Sequence, residues 1–228
     1  MSRAFSQVKS VTAGSLRLQN VTISLGARRL VSQLTLEIPP GTIVTVMGPS
    51  GSGKSSLLAF VGGFLDPVFA AQGRVLIGDE DVTRLPPERR GTGLLFQDDL
   101  LFPHLSVGEN LAFGLKPSVR TRTERRSIVA AALAQAGLAG FADRDPATLS
   151  GGQRARVALL RTLLAEPRVL LLDEPFGKLD RELREEIREF VFDRARERGL
   201  PVLLVTHDEE DARAAAGPII TIAGDAQT

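Results

Sequence analysis

The sequence predicts an α/β fold built around a mostly parallel sheet, because short apolar strands alternate along the chain with amphipathic helices. Continuous aliphatic and β-branched runs at residues 42–47 and 169–172 are typical of strands that are buried on both faces of such a sheet. A glycine-rich segment separates the first of these runs from a helix. Together these observations favour one α/β core over an all-β or all-α fold.

Composition and charge are those of one large domain. The 228 residues are enough to bury a sizeable core, with room for a small inserted subdomain. Lys and Arg number 28 against 27 Asp and Glu, so the net charge of +1 creates no strong field toward nucleic acid or anionic lipid. The chain has no Cys, which excludes disulfides and thiolate metal sites. Residues 1–15 are expected to be a flexible extension without a signal peptide, and no apolar run is long enough to span a bilayer.

Up to about residue 97 the pattern predicts mainly strands. Apolar residues alternate from Leu16 and again from Leu34, and the turn Pro39-Pro40-Gly41 ends the second alternation. Glycines at positions 73 and 78 are interpreted as turns at either end of a later strand. In chain order the predicted elements are strands within 16–25 and at 34–38 and 42–47, a helix at 54–61, and strands at 73–78 and 92–96.

From about residue 98 to residue 164 the chain is expected to form a helical subdomain inserted in the α/β core, with one helix that Gly137 can cap. The core then resumes with an apolar strand and an amphipathic helix that stops before Gly199. No internal repeat is visible, so residues 16–228 are predicted to be a single domain. The elements predicted here are helices at 123–136, 153–164 and 181–198 and strands at 169–172, 202–206 and 219–222.

The glycine-rich segment matches the phosphate-binding pattern G-x-x-x-x-G-K-[ST], with the expected strand before it and helix after it. Its glycines would let backbone N–H groups turn toward phosphates, and the helix start adds a favourable dipole. Lys54 is expected to reach the β- and γ-phosphates, and the Ser55 hydroxyl is expected to hold Mg²⁺. The residues predicted to bind nucleotide here are Gly48, Pro49, Ser50, Gly51, Ser52, Gly53, Lys54, Ser55 and Ser56.

Two further candidate groups follow buried strands. Asp173 ends the strand at 169–172, where a carboxylate can meet the shell of a magnesium ion, and Glu174 beside it can polarise an attacking water. His207 follows the strand at 202–206, on the side of a parallel sheet that binds ligands, and could donate a hydrogen bond to a γ-phosphate. A lone His is more often a surface or capping residue, so this function depends on the other motifs.

The segment Leu149-Ser150-Gly151-Gly152-Gln153 lies between the phosphate loop and the acidic strand end. With it, the chain resembles the ATP-binding cassette (ABC) transporter ATPases over about residues 16–222. The family motifs correspond to the phosphate loop at 48–55, the Q-loop Phe96-Gln97-Asp98, the signature at 149–153, the acidic strand motif at 169–174, the D-loop at 177–180 and the switch histidine His207.

The resemblance implies a P-loop NTPase (RecA-like) core with a mostly parallel sheet, an N-terminal antiparallel β subdomain and the inserted helical subdomain. It also implies that two cassettes pair head to tail, with each ATP between the phosphate loop of one and the signature of the other. For catalysis, the resemblance implies that Glu174 is the general base, that His207 holds the γ-phosphate, and that Lys54 and Gln97 take part. Lys54 would also contact phosphate, and the metal would be bound by Ser55, Asp173 and Gln97. The residues implied to act across the dimer are Ser150, Gly151, Gly152 and Gln153, which would contact the γ-phosphate, and Asp180.

Within the family, the chain resembles an importer subunit that powers solute transport through a separate membrane permease. Pro175-Phe176 and the loop 101–107 resemble the importer group for thiamine, ferric iron, sulfate and polyamines. An end soon after Ile222 favours the short, thiamine-type members. The implied cofactors are ATP and Mg²⁺. The implied partners are a second cassette (as an ATP-bound homodimer), integral membrane permease subunits and a solute-binding protein, without nucleic acid, at the cytoplasmic face of the inner cell membrane.

Sequence features distinguish three alternative functions. A soluble ABC-type ATPase that acts on nucleic acid or on the ribosome would carry a long coiled coil between Gln97 and Leu149, or a second cassette, and the chain has room for neither. A cassette that binds ATP without hydrolysing it is expected to have degenerate motifs, and here the catalytic motifs are intact. A GTPase would read guanine with N-K-x-D, but the segment around Lys178 and Asp180 lacks the Asn.

Two positions depart from the family pattern. Leu25 or a neighbour stands where the family usually stacks an aromatic residue on adenine, and the chain has no Tyr or Trp. This departure predicts weak discrimination between ATP and GTP. Gly177-Lys178 replaces the small residues that are usual in the D-loop, and no role for Lys178 follows from the sequence.

Overall fold

The structure is a computed structural model that describes residues 14–223. Most of the flexible extension predicted for residues 1–15 therefore lies outside the described residues. Its last residue, Ser15, is tied to the fold, because the Ser15 carbonyl accepts a hydrogen bond of 2.9 Å from the Gly78 N–H.

The N-terminal strands form an antiparallel sheet in the order β2–β1–β4–β5. Its members are β1 (Leu16–Leu25), β2 (Arg28–Ile38), β4 (Phe69–Ile77) and β5 (Glu80–Asp81). The apolar alternation changes phase after Leu18 because β1 contains an irregularity at Asn20, whose φ is 51°.

Gly73 was predicted to be a turn, and this prediction is wrong. It lies inside β4, with φ 110°, and β4 begins at Phe69. A Cβ at Gly73 would lie 2.7 Å from the Val21 Cα and 2.8 Å from the Asn20 carbonyl oxygen. Glycine is therefore required because the irregular part of β1 passes too close to β4 for a side chain.

A second, fully parallel sheet has the order β6–β7–β8–β3–β9. Its strand bounds differ by at most one residue at either end from those predicted for the corresponding five strands. Because the strands are parallel, their carboxyl ends meet at one edge, from which the phosphate loop, Gln97, Glu174 and His207 all follow. The strands are β3 (Ile43–Met47), β6 (Thr92–Leu95), β7 (Val169–Asp173), β8 (Val202–Val205) and β9 (Ile219–Thr221).

Six α-helices are present in the described part of the chain. They are α1 (Lys54–Gly62), α2 (Val107–Phe113), α3 (Arg122–Gln135), α4 (Gly151–Leu164), α5 (Arg181–Glu197) and α6 (Glu209–Ala214). The short helices α2 and α6 were not predicted, although a capping box of Ser106 and Glu109 marks the start of α2. Between residues 14 and 223, no helix combines the length and hydropathy that a bilayer crossing requires.

Three apolar clusters organise the packing. One lies between the antiparallel sheet, α1 and one face of the parallel sheet, and the second lies under α4 and α5 on the other face. The third holds α2, α3 and α4 together through residues such as Leu111, Leu133 and Val157. The predicted α/β class is confirmed, while the boundary of the helical subdomain at about residues 98–164 stays a prediction.

Arg90 fastens the C-terminal end of α1. Its side chain is buried, with the residue 5% exposed, and it donates only to backbone carbonyls among its described hydrogen bonds. Burial lowers the pKa of Arg90, which is the expected result of desolvating a cation. The acceptors are the carbonyls of Phe60 (2.8 Å), Val61 (3.0 Å), Leu85 (2.8 Å) and Thr83 (2.6 Å).

We expect Arg90→Met to lower the free energy of unfolding by about 3 kcal/mol, because buried carbonyls would lose a charged donor. Urea unfolding monitored by circular dichroism measures this change. The matched control is Arg89→Met, which changes the exposed neighbour and should alter the free energy by no more than about 0.5 kcal/mol. Similar losses in the two variants would contradict the anchoring role of Arg90.

Candidate nucleotide site

The loop between β3 and α1 has a conformation that requires its glycines. Gly51 and Gly53 have φ values of 75° and 97°, in the left-handed region that favours glycine. A Cβ on Gly53 would lie 2.7 Å from the Leu30 Cβ, and one on Gly48 would lie 2.3 Å from the Ile222 carbonyl oxygen. The loop is thus held between β2 and the end of β9 too tightly for larger residues.

This loop has hydrogen-bond donors to offer an anion. Gly53 provides no side-chain cap for α1 and no acidic residue lies in its first turn, so the first amides of the helix have no acceptor within it. The Ser52 hydroxyl is buried and has no described partner. The buried Lys54 ammonium donates to the carbonyls of Gly48 (2.8 Å) and Pro49 (2.9 Å). Unpaired donors around a buried cation fit the phosphates of a nucleotide.

Ser55 and Asp173 meet across the sheet edge, where the Ser55 hydroxyl donates to Asp173 Oδ1 at 3.1 Å. Burial raises the pKa of Asp173, and the Glu174 charge raises it further, against the opposing effects of Ser55 and Lys54. A bound cation would compensate this unfavourably buried charge. Hydroxyl and carboxylate oxygens suit Mg²⁺, which takes its remaining ligands from phosphate oxygens and water. These residues therefore fit the ion.

Gln97 lies on the exposed loop after β6. Its amide nitrogen is packed near Gly177, where a Cβ would approach it to 2.9 Å. Within residues 14–223, no hydrogen bond joins Gln97 to Ser55 or Asp173. The structure thus brings together two of the three predicted metal ligands and places the third beside the D-loop.

Glu174 and His207 form a pair at the same edge. Glu174 has φ 45°, an unfavourable conformation for a glutamate, which its N–H maintains by donating to the Val205 carbonyl at 2.9 Å. Its Oε1 lies 3.1 Å from His207 Nδ1. The carboxylate side chain is 28% exposed and the imidazole 67% exposed, so the pair remains accessible to a substrate.

The signature segment begins α4 with a reciprocal cap. Ser150 Oγ accepts from the Gln153 N–H (3.3 Å), and Gln153 Oε1 accepts from the Ser150 N–H (3.0 Å). A Cβ on Gly152 would lie 2.3 Å from Leu183 Cδ1, so a larger residue there would require the Leu183 side chain to move. Gly151 is different, because a Cβ there would meet no atom closer than 3.8 Å.

No hydrogen bond or ion pair within residues 14–223 joins the signature segment to the phosphate loop. The family resemblance implies that the signature of one cassette meets the ATP bound at the phosphate loop of another. Within one chain, the described contacts leave them separate. The start of α4 at Gly151 is open, because a Cβ there would meet no atom closer than 3.8 Å.

The D-loop residues have local partners. Asp180 caps α5 by accepting from the Leu183 N–H at 3.0 Å. Lys178 pairs with Asp98, which gives this residue a contact that the sequence did not predict. Both side chains of that pair are more than half exposed (55% and 64%), so its contribution to stability is small.

Arg28 is a site residue that sequence analysis missed. Its guanidinium donates to the carbonyl of Gly51 in the phosphate loop at 3.3 Å. Leu25, at the end of β1, is 41% exposed near this hairpin. The sequence signal for Arg28 is its place shortly after Leu25, at or near the position where the family usually has an aromatic residue.

Known proteins resemble this chain over nearly its whole length. The family model described as "ABC transporter" matches residues 31–177. The uncharacterized ABC transporter ATP-binding protein YnjD of Escherichia coli K12 is 47% identical over 199 residues, which are 87% of this chain and 91% of that protein. The Fe(3+) ions import ATP-binding protein FbpC 1 of Rhizobium meliloti is 42% identical over 93% of this chain. The sulfate/thiosulfate import ATP-binding protein CysA 2 of Agrobacterium fabrum is 40% identical over 91%.

The match spans 59% and 60% of the lengths of the iron and sulfate relatives. Among solved structures, the dimeric bacterial ABC transporter cassette MJ0796 matches 91% of this chain, and the match covers 94% of that chain with a TM-score of 0.75 and 34% identity. A post-hydrolysis dimer of MJ0796 bound to ADP and Pi matches with a TM-score of 0.75 and 32% identity, covering 93% and 97% of the two chains. The chain therefore belongs to the ABC transporter family and is one of its ATP-binding, ATP-hydrolysing cassettes.

Proposed function

We propose that the chain is the ATPase subunit of an importer and drives solute uptake through a separate membrane permease. The observation that carries the catalytic part is the convergence of Ser55, Asp173, Glu174 and His207 at one sheet edge. The iron and sulfate import relatives support the importer class. In this proposal the cassette is bound peripherally at the cytoplasmic face of the inner membrane, and a solute-binding protein delivers the solute.

The triphosphate of ATP binds at the start of α1 in the proposed mechanism. The first amides of the helix and the unpartnered Ser52 hydroxyl supply donors, while Lys54 exchanges its loop carbonyls for β- and γ-phosphate oxygens. Ser55 and Asp173 would hold Mg²⁺, which neutralises phosphate charge when bound. Gln97 is proposed to contact the bound metal and so to connect the nucleotide site with the helical segment beyond residue 98.

Glu174 is the proposed general base. Its carboxylate orients the attacking water and accepts the proton, and the 3.1 Å contact with His207 holds the carboxylate in place. His207 contacts this carboxylate through Nδ1, and its other ring nitrogen, Nε2, is the atom that would contact the γ-phosphate. The left-handed backbone at Glu174 fixes the direction of the side chain before substrate arrives.

The signature segment acts on the ATP of a second cassette in the proposed head-to-tail dimer. Ser150, Gly151, Gly152 and Gln153 lie at the start of α4, where the helix dipole favours a phosphate. The open space at Gly151 supports an approach from outside, and Asp180 would make its contact across the same interface. The dimeric MJ0796 cassettes, at 34% and 32% identity, support the pairing of two cassettes.

Capture from membranes tests the transporter role. The tagged chain, purified from detergent-solubilised membranes of its own organism, is expected to retain a multi-span partner that mass spectrometry can identify. A parallel capture with the Lys54→Ala chain, in which nucleotide binding should be weakened, shows whether recovery of the partner depends on nucleotide. Recovery of ribosomal or chromosomal proteins in place of a membrane partner would overturn the importer proposal and favour the soluble alternative.

Replacing the general base tests catalysis. We expect Glu174→Gln to slow phosphate release by at least about 100-fold, since an amide cannot accept the proton. Binding of a fluorescent ATP analogue should remain, because the phosphate loop is untouched. Glu185→Gln, at an exposed position of α5, is the charge-matched control and should retain the wild-type rate. A Glu174→Gln protein that hydrolyses ATP at full rate would assign the base to another group.

A charge at Gly151 tests the head-to-tail dimer. Gly151→Asp should not lower the melting temperature, because an acidic residue at a helix start complements the dipole. It should abolish ATP-induced dimerisation in the Glu174→Gln background, since its carboxylate would repel the partner-bound phosphate. Size-exclusion chromatography with light scattering measures the dimer, and Gly151→Ala separates added volume from charge. Normal dimerisation of Gly151→Asp would argue against this use of the signature.

A further inference from the structure

A group of ion pairs connects the helix of the D-loop with the helix that follows His207. Arg184 and Arg188, on α5, contact Asp208 and Asp211, at the start of α6. We call these four residues the α5–α6 network. The distances are 2.7 Å for Arg184–Asp208, 3.0 Å for Arg184–Asp211 and 3.1 Å for Arg188–Asp211.

The network is largely removed from water. The Asp211 side chain is 1% exposed, Arg188 11%, and both Arg184 and Asp208 less than a quarter. A buried charge that loses its partner is strongly unfavourable, so the two helices hold one another in a defined arrangement. The guanidinium of Arg184 forms ion pairs with two carboxylates, that of Asp208, which caps α6, and that of Asp211 within α6.

His207 needs such an external support. Its ring is 67% exposed, and its described side-chain contact is the one with Glu174. Its position is therefore set by the backbone on either side. On one side Thr206 is buried, with its N–H donating to the Val46 carbonyl at 3.3 Å and its hydroxyl to Asp211 at 3.4 Å.

On the other side of His207, three kinds of contact hold Asp208: a hydrogen bond of its N–H, the capping of α6 and an ion pair. Its N–H donates to the Thr206 hydroxyl (3.0 Å), and its carboxylate caps α6 by accepting from the N–H groups of Glu210 and Asp211. The Arg184 guanidinium then holds this carboxylate from α5. The Arg184 side chain thus contacts the residue that directly follows His207 in the chain.

Arg184 is also close in the chain to the D-loop. Its N–H donates to the carbonyl of Asp180 at 2.8 Å, one helical turn earlier. The same residue therefore touches the cap of α5 through its backbone and the residue after His207 through its side chain. Arg188 shares the Asp211 contact and acts on Asp208 only through its charge, which helps to lower the pKa of that carboxyl; the ion pair with Asp208 is made by Arg184.

We infer that Arg184 is a positioning residue for hydrolysis: through Asp208 it holds His207 at the γ-phosphate position. The inference rests on the proposed role of His207. It separates Arg184, which acts on the reaction, from Arg188, which stabilises the helix pair. The guanidinium matters because it bridges two carboxylates at once.

Steady-state hydrolysis by the full chain tests this assignment. Arg184→Met should lower kcat about tenfold while the KM for ATP changes by less than about twofold, because the phosphate loop is intact and only the placement of His207 is lost. The matched control is Arg188→Met, which removes a more buried pair. It should lower the melting temperature at least as much but retain kcat within about twofold. A kcat loss in Arg188→Met equal to that in Arg184→Met would overturn the positioning role.

A double-mutant cycle with His207→Ala gives the decisive readout. If Arg184 acts through His207, Arg184→Met should have no further effect on kcat in the His207→Ala background. An additional tenfold loss there would overturn the inference while leaving the proposed function intact. A His207→Ala protein with the wild-type rate would instead overturn the role proposed for His207, and this inference with it.

A second variant serves if Arg184→Met does not fold. Asp208→Asn keeps an N-cap residue on α6 and removes the charge that Arg184 holds. It should show the same fall in kcat with an unchanged KM. A wild-type kcat in Asp208→Asn, with α6 intact by circular dichroism, would overturn the inference.

Discussion

Parallel pairing of β7, β8 and β3 is the constraint on which the rest of the site depends. Parallel strands present all their carboxyl ends at one edge, so three loops that are far apart in sequence must emerge together. Asp173 and Ser55 touch there, as do Glu174 and His207. Since the strands are buried on both faces, the hydrophobic effect that assembles the sheet also assembles the polar edge.

Side chains outside this edge hold the loops in conformations that they would not adopt alone. Arg90 fixes the far end of α1, and the α5–α6 network fixes the segment around His207. Glu174 remains in a left-handed conformation because backbone hydrogen bonds on both sides hold it. These contacts outside the sheet edge thus keep the positions of Glu174 and His207 fixed while both side chains remain exposed to substrate.

The sequence predicted those features that depend on a single segment of the chain. Buried strands carry an unbroken apolar signal, and their bounds were found to within one residue. The glycines of the phosphate loop were found because their spacing follows from backbone conformation. What depends on two distant segments was missed: the place of Gly73 against β1, the pairing of Arg184 with Asp208, and the contact of Arg28 with the loop. The roles assigned to the site residues stay predictions.

The hydrogen bonds of Lys54 to the carbonyls of Gly48 and Pro49 have a consequence for selectivity. Because the Lys54 ammonium already has these two acceptors, a ligand must exchange bonds with the lysine, whereas it can add bonds to the Ser52 hydroxyl and to the first amides of α1. A ligand without anionic oxygens, such as adenosine, would break these bonds without replacing them. The loop therefore favours ligands that bring phosphate oxygens to the ammonium.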